Sequence, residues 1–386
     1  MKVSLTDICD FQGGTQPPKD EWINQPAQGY VRMLQIRDFT QSDKNYIEYV
    51  KDTGKLKTCI EDDILIGRYG ASIGKILTGL AGAYNVAIVK PIPDEKVVSK
   101  KYLYWYLNSQ YFQRFISNVG SRAAQAGFNK NDLGAAQIPL VDKERQEEIC
   151  EVLEKANKLI SLRKQQLAKL DELVKARFVE MFGDPQSNSK GWPLDTLNNI
   201  ISTIESGWSG NGKQREKTPD EIAVLKVSSV TKGYFIPTEC KVLDDQSNIK
   251  KYVFPQKGDI LFSRANTKEM VGATALITQD YPDLILPDKL WKIRFAENIN
   301  VFYMKSILSS KSIRDRFSAE STGTSGSMYN VSMEKFRAIT VPIPPFSLQN
   351  EFAVFVECVD QQKQTVQQSL EKLELMKKAL MQEYFG

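Results

Sequence analysis

The sequence says nearly the same thing twice, and this duplication limits the available folds more than any other feature. QIPLVDKERQEEICEVLEKA at 137–156 echoes TVPIPPFSLQNEFAVFVECV at 340–359. Pro139 matches Pro342 and Gln146 matches Gln349, both at an offset of 203. FVEMFG at 178–183 echoes MQEYFG at 381–386, again at 203. Upstream, Asp63-Ile64-Leu65 with Arg68 matches Asp259-Ile260-Leu261 with Arg264 at 196. VSLTDI at 3–8 corresponds loosely to DTLNNI at 195–200, at 192. The drifting offset places insertions in the second copy. Each copy is a variable domain followed by a long helix.

The helices carry the clearest periodicity. In the first, Ile149, Leu153, Ala156, Ile160, Leu167, Leu170, Val174 and Met181 recur at spacings of four and three, interrupted by Arg163 and Arg177. In the second, Phe352, Val356, Val359, Val366, Leu370, Leu373, Leu380 and Tyr384 do the same, interrupted by Lys363 and Lys377. A sustained a/d heptad with charged flanks predicts a coiled coil. The alternative is an amphipathic helix on a globular core, whose apolar stripe is usually wider. Glu144, Glu147, Glu148, Glu151 and Glu154 crowd the start of the first helix, where the macrodipole favours anions. Gly183 followed by Pro185 is a stop signal.

About 40 residues of helix reach about 60 Å. A second domain at the far end can return its own helix along the first only by running back. The expected fold class is therefore α+β. Two α/β domains, at 1–141 and 185–344, are separated by an antiparallel two-helix coiled coil made from 142–184 and 345–386, with a pseudo-two-fold internal repeat. Strand-like runs at 30–36, 63–66 and 85–89 and a helical run at 101–116 mark the first domain. Strand-like runs at 223–227, 259–262 and 290–295 and a helical run at 301–316 mark the second.

Composition excludes several chemistries. Histidine is absent, so no Ser-His-Asp triad, Cys-His dyad or His-ligated metal can form. The five cysteines, Cys9, Cys59, Cys150, Cys240 and Cys358, are odd in number and contain no C-x-x-C. That argues against a zinc site or disulfide framework and fits a reducing cytoplasm. MKVSLTDICDF lacks the apolar core of a signal peptide. The most apolar stretch, 76–89, is too short to span a bilayer and includes Thr78, Gly79, Tyr84 and Asn85. No membrane contact is expected.

Polar loops recur at matched positions in the two copies. Gly13-Gly14-Thr15-Gln16-Pro17-Pro18 opens one domain, and Ser206-Gly207-Trp208-Ser209-Gly210-Asn211-Gly212-Lys213 opens the other. Arg32, Gln35, Arg37 and Asp38 follow in the first; Lys226, Ser228 and Ser229 follow in the second. Gly67-Arg68-Tyr69-Gly70 pairs with Ser263-Arg264-Ala265-Asn266. Gly120-Ser121-Arg122 to Asn129 pairs with Thr322-Gly323-Thr324-Ser325-Gly326 to Asn330. Arg, Gln and Asn carry the forked donors and acceptors that read base edges, and Gly lets backbone approach phosphate. Each loop alone is weak evidence, since loops of Gly, Ser and Asn are mostly ordinary turns. Their recurrence is the argument for a DNA-binding surface, to which Lys75 of the first copy is added.

Enzyme signatures are missing. Gly70-Ala71-Ser72-Ile73-Gly74-Lys75-Ile76 falls one residue short of a P-loop and has Ile76 where Ser or Thr must hold magnesium. There is no G-x-G-x-x-G, and no Asn/Asp-Pro-Pro-aromatic tetrapeptide of the kind amino-methyltransferases carry. Asp62-Asp63 and Asp244-Asp245 sit at expected turns, where solvated carboxylates are the simpler reading. No catalytic residue and no metal site are expected.

Taken together, the pattern resembles the DNA-specificity subunit of type I restriction–modification systems. The resemblance covers essentially the whole chain. It rests on the two Ile/Val-Pro…Gln…helix segments ending in Phe-Gly (138–183 and 341–386), the D-I-L-x-x-R segments at 63–68 and 259–264, and the GGTQPP and GRYGASIG stretches. It implies two target recognition domains that each read half of a split DNA site, with the helices as a spacer. It further implies a non-catalytic chain that docks two modification subunits, which carry S-adenosylmethionine and methylate adenine. Restriction subunits using ATP and Mg then join, in phage defence.

Two other classes of function stand against this. One is a coiled-coil scaffold whose end domains bind protein or carbohydrate; the other is an independent enzyme. Charge bears on the choice. The chain has a net charge of +4. The first helix has nine basic and eight acidic residues, and the second has four and six, leaving about +5 for the rest. That is a modest excess for a DNA reader, so weak binding by the chain alone is expected.

Overall fold

The computed structural model describes residues 1–41, 47–122, 127–323 and 329–386, without the side chains of 120–122, 320, 322 and 323. The chain forms two compact units. Unit 1 is Met1–Gln165 together with Gln367–Gly386, and unit 2 is Gln166–Val366. The long helices Lys143–Phe182 and Phe346–Phe385 therefore each contribute to both.

The duplication holds in three dimensions. Among the described residues each unit carries two four-stranded sheets, the first of the same order in both and the second sharing three strands. In unit 1 one sheet runs Cys9–Gly13, Ile88–Pro93, Leu65–Gly67, Ile76–Leu77, all antiparallel. The other runs Tyr49–Lys51, Tyr30–Leu34, Gly82–Tyr84, Thr58–Cys59, with Tyr30–Leu34 and Gly82–Tyr84 parallel. Unit 2 repeats the first as Ile201–Ser206, Leu290–Phe295, Ile260–Ser263, Thr274–Leu276. Its second sheet runs Gly212–Lys213, Cys240–Leu243, Ala223–Leu225, Leu284–Ile285, in which the last two are the parallel pair. Three strands therefore correspond, Gly212–Lys213 is added at one edge, and Thr58–Cys59 has no counterpart in the sheet among the described residues. The D-I-L strand shows why its apolar residues are consecutive. Ile66 faces the helical core of unit 1 while Leu65 faces the second sheet's cluster. In unit 2, Ile260 and Phe262 face one cluster and Leu261 the other. A strand buried on both faces has no polar alternation.

Several boundaries differ from the sequence reading. The helical run 101–116 is two helices, Lys100–Leu107 and Gln110–Arg122. Asn108 Nδ2 turns back to the Tyr104 carbonyl at 2.8 Å, and Ser109 Oγ accepts the Phe112 N–H at 3.2 Å. The run 301–316 likewise splits into Val301–Ser309 and Lys311–Glu320, because the Ser310 hydroxyl caps the second helix at Ile313. The strand at 85–89 begins only at Ile88, since the Asn85 side chain accepts the Ala87 N–H at 3.1 Å and makes a turn. The strand at 30–36 stops at Leu34, and Ile36 opens the short helix Ile36–Thr40. GRYGASIG is the tip of a β-hairpin, Gly74 N–H to Gly67 carbonyl 2.9 Å, and no helix follows it.

The helices serve two roles along their length. In unit 1, Ile149 and Leu153 belong to the globular core together with Tyr102, Tyr106 and Phe385. In unit 2, Phe352 and Val356 join Phe178, Phe182 and Tyr303. A helix-on-helix seam of Leu170, Val359 and Val366, flanked by Leu167 and Val174, lies beside that core. Ala156, Ile160 and Leu370 are buried as well, and Leu373 and Leu380 are half-buried. The pairing is antiparallel within each unit. Lys164 meets Glu374 at 2.8 Å and Lys377 meets Asn157 at 2.8 Å in unit 1; Lys363 meets Asp171 at 2.6 Å and Arg177 meets Glu351 at 3.1 Å in unit 2. Lys363, Arg177 and Lys377 are three of the four charged residues that interrupt the heptads, and these three make polar contacts across the pair, as register-setting residues do.

Gln146 and Gln349 explain the repeated Pro…Gln segment. Both are buried. Gln146 Oε1 accepts the Ser99 N–H at 2.9 Å while Nε2 donates to the Val97 and Val141 carbonyls. Gln349 does the same with the Asn300 N–H, at 2.9 Å, and the Pro344 carbonyl. Each glutamine ties the start of a long helix to the cap residue of a helix in its own domain, Ser99 before Lys100–Leu107 and Asn300 before Val301–Ser309.

Candidate nucleic-acid interface

Three loops meet at the end of the central sheet in each unit. Gly14 passes so close to the 84–85 backbone that a Cβ would lie 2.1 Å from the Asn85 carbonyl. Gly207 passes Leu286 at 1.9 Å by the same measure, so only glycine fits either crossing. The next residue bonds the same strand in both copies: Thr15 N–H to Tyr84 carbonyl, 3.0 Å, and Trp208 N–H to Leu286 carbonyl, 2.9 Å. The arginines close the group, with Arg68 N–H on the Ala87 carbonyl at 2.8 Å and Arg264 N–H on the Lys289 carbonyl at 3.1 Å.

Both arginine side chains are pinned. Arg68 Nε donates to the Phe128 carbonyl at 2.8 Å, and its guanidinium lies 5.0 Å from the ring centre of exposed Tyr69. Arg264 Nε donates to the Asp288 carbonyl at 2.9 Å. A guanidinium held by Nε keeps its two terminal amino groups in one plane, the geometry that reads guanine O6 and N7. Asn330 pairs with Ala265 and so stands next to Arg264.

The aspartates of the D-I-L segments hold the strand from below. Asp63 accepts the Ile60 N–H at 3.0 Å and pairs with Lys90 at 3.0 Å. Asp259, fully buried, accepts the Gln256 N–H at 2.6 Å and pairs with Lys292 at 3.4 Å and Arg294 at 2.6 Å. Burial opposes the Asp63 charge. The Ile60 N–H and the Lys90 and Lys100 ammonium groups outweigh it and hold the carboxyl below the usual carboxylate value.

The second group of expected readers is occupied within the chain. Gln35 Nε2 donates to Glu48 at 2.7 Å, Arg37 also bonds Glu48, and Arg32 pairs with Asp38 at 3.2 Å. In unit 2, Lys226 pairs with Glu239 at 2.8 Å and Ser228 Oγ donates to it at 2.6 Å. Lys226 and Ser228 hold the Glu239 carboxyl below its ordinary value. Glu48 and Glu239 were not singled out in the sequence. Yet each lies 13 residues after its partner, Gln35 or Lys226, and that matched spacing was a readable signal.

The remaining candidates divide. Gln16, Lys75 and Lys213 are exposed. Asn129 is not free to read a base: its Oδ1 accepts the Asp132 N–H at 3.1 Å and caps the helix Lys130–Gly134. Ser263 is fully buried in its strand, which leaves it no face toward a ligand. Asn266 Oδ1 accepts the Thr267 N–H at 2.9 Å, and half-buried Trp208 packs on Val224, Leu243 and Ile285. Thr324 and Ser325 lie outside the described residues, as do the side chains of Ser121 and Arg122. Among the described residues no cluster of three or more cysteine or carboxylate side chains is placed to hold a metal, and no helix is long and apolar enough to cross a membrane.

Each copy of the duplicated domain thus holds one pinned arginine between a glycine loop and a matched turn and is followed by a long helix. The chain belongs to the family of type I restriction modification DNA specificity domains, which match residues 1–172 and 202–375. The type I restriction enzyme EcoEI specificity subunit of Escherichia coli is 25% identical over 163 residues, 41% of this chain and 27% of the relative. The MjaVIII specificity subunit of Methanocaldococcus jannaschii is 24% identical over 183 residues, 47% and 41% of the two chains. The chain thus spans between a quarter and two fifths of these curated relatives. An S subunit of a type I restriction-modification system from M. genitalium shares the fold, with a TM-score of 0.56 and 15% identity over 100% of this chain and 96% of that one. A chain solved in work on complex assembly and conformational transition of the type I R-M system gives 0.58 and 13% over 100% and 97%.

Proposed function

We propose that this chain is the sequence-specific DNA-binding subunit of a type I restriction–modification complex, with no catalytic step of its own. Domain 1–141 reads one half of a split, asymmetric duplex site and domain 185–344 reads the other. The helices 142–184 and 345–386 are the spacer that sets their separation. A near-two-fold scaffold suits two copies of one partner. These are adenine-N6 methyltransferase subunits, which bring S-adenosylmethionine and in turn recruit restriction subunits that use ATP and Mg.

The observation that carries this reading is the pair Arg68 and Arg264. Each ends the same strand of a duplicated sheet with Nε bonded to a backbone carbonyl, at 2.8 and 2.9 Å. Two unlike readers on a duplicated frame suit an asymmetric site, and half-site spacing follows spacer length and the DNA repeat.

The test is a gel-shift competition with the methyltransferase partner present. A duplex carrying the site, located by sequencing methylated adenines in a host that expresses both proteins, should compete far better than a scrambled one. Equal competition would sink the reading. Removing one heptad from both helices should shorten the preferred spacing between half-sites; an unchanged spacing would contradict the ruler.

A further inference from the structure

The loop at 286–289 in unit 2 is fixed by two backbone bonds, from Trp208 N–H to the Leu286 carbonyl and from Arg264 N–H to the Lys289 carbonyl, at 2.9 and 3.1 Å. The loop at 84–87 in unit 1 is fixed by the same pair of bonds, from Thr15 and Arg68, at 3.0 and 2.8 Å. The two loops therefore correspond residue by residue, and Asp288 stands where Val86 stands. Since one backbone path accepts either side chain, the fold does not require a carboxylate there.

Asp288 is nevertheless held with care. Its carbonyl accepts both Arg264 Nε at 2.9 Å and the Ser206 hydroxyl at 3.2 Å. Its Oδ1 accepts the Ser209 hydroxyl, whose oxygen receives the Asp288 N–H at 3.3 Å. Oδ2 lies 3.9 Å from Arg264 Nη2, and the side chain is 47% exposed. An acceptor and a forked donor are thus displayed side by side on one braced loop.

We infer that Asp288 is a specificity-determining residue that reads one guanine–cytosine pair together with Arg264. The Arg264 terminal amino groups donate to guanine O6 and N7. Asp288 Oδ2 accepts from the N4 amino group of the paired cytosine. Guanine O6 and cytosine N4 are themselves hydrogen-bonded, about 3 Å apart, so a donor and an acceptor 3.9 Å apart can address both at once. Thymine at that place presents O4 to the carboxylate, lone pair against lone pair, and is rejected. In unit 1 the same place holds Val86, 41% exposed, one residue before the Ala87 carbonyl that accepts the Arg68 N–H. A branched apolar tip there suits the methyl group of a thymine. This rests on the DNA-reading function proposed above.

The experiment is selection from a random duplex library by the full chain with its methyltransferase partner, comparing wild type, Asp288→Ala, Asp288→Asn and Val86→Ala. Wild type should enrich a split site. Asp288→Ala should keep one half unchanged and lose about tenfold or more of its discrimination at a single guanine–cytosine pair of the other. Asp288→Asn, which can donate as well as accept, should tolerate more than one base there. Val86→Ala should weaken a thymine preference in the opposite half. Melting temperatures equal to wild type confirm folding. A split wild-type site with an identical Asp288→Ala preference at every position overturns the inference alone. A wild type that enriches no sequence overturns the DNA-reading function and the inference with it.

Discussion

The hydroxyl of Tyr303 donates to the carbonyl of Pro342 at 2.7 Å, across the turn from the last strand of unit 2 into its long helix. Tyr102 and Pro139 make the same bond in unit 1 at 2.8 Å. Burial pushes the Tyr102 phenol up to about 12 and that of Tyr303 higher still. Both therefore act as donors at any working pH. Replacing Tyr303 with Phe should cost unit 2 about 1–2 kcal/mol, read as a lower urea midpoint for that unit. Tyr102→Phe should do the same to unit 1.

Phe182 and Phe385 close their units from the last turn of each helix. Phe182 lies 4.8 Å from Tyr303 and 5.5 Å from Phe352, while Phe385 lies 5.2 Å from Tyr102 and 6.1 Å from Tyr106. Truncating either to Ala should cost about 3–5 kcal/mol. Phe385→Ala should lower the unfolding transition of unit 1 and spare that of unit 2, with Phe182→Ala giving the converse. Equal shifts of both transitions would show that the anchors are not local.

Asp63 supplies a pH dependence. Its carboxyl is held below the ordinary value of 3.8, so the folded state binds fewer protons than the unfolded one in acid. By linkage its contribution is complete above that value and disappears as the pH falls through the lowered one. Asp63→Asn should destabilise unit 1 at pH 7 by on the order of 1–3 kcal/mol and flatten the loss of stability below pH 4. Denaturation midpoints from pH 7 down to 3 check this; a variant as steep in acid as the wild type would refute it.

Arg68→Ala and Arg264→Ala should each relax recognition in one half-site only, by about 1–3 kcal/mol if the fork is bidentate to guanine. Binding to duplexes mutated in one half at a time measures this. Equal losses in both halves would contradict the split reader.

All five cysteines are free thiols. Burial pushes Cys9 up to about 12 and Cys150 to about 11, and raises Cys59 and Cys240 as well, while Cys358 is exposed. A disulfide reagent at pH 8 should therefore find one fast thiol, and Cys358→Ser should remove that phase. A fast phase that survives the substitution would place the reactive thiol elsewhere.

Much of this was legible in the chain because it was written twice. Pro139/Pro342, Gln146/Gln349 and Asp63/Asp259 announced themselves by spacing, although their roles did not. A glutamine that caps a distant helix, or an aspartate that meets a lysine on the neighbouring strand about 30 residues along the chain, has no local signature. Helix ends at Ser109 and Ser310 were missed because apolar spacing continues through them while a single hydroxyl ends the hydrogen-bond run. The candidate interface was the least legible part. Arg32, Gln35 and Lys226 have the side chains of base readers, but Asp38, Glu48 and Glu239 claim their donors. Which donors stay free is settled by pairing across strands, which composition cannot show.

The discontinuity of unit 1 has a temporal side. Its core places Phe385 against Tyr102, whereas the whole of unit 2 lies between residues 166 and 366. A ribosome delivers the chain in order, so every part of unit 2 emerges before the ring that seals unit 1. Until then Tyr102 and Tyr106 rest on Phe112, Ile149 and Leu153 with one wall of their core still open, and that core is complete only when the Phe385 ring is added.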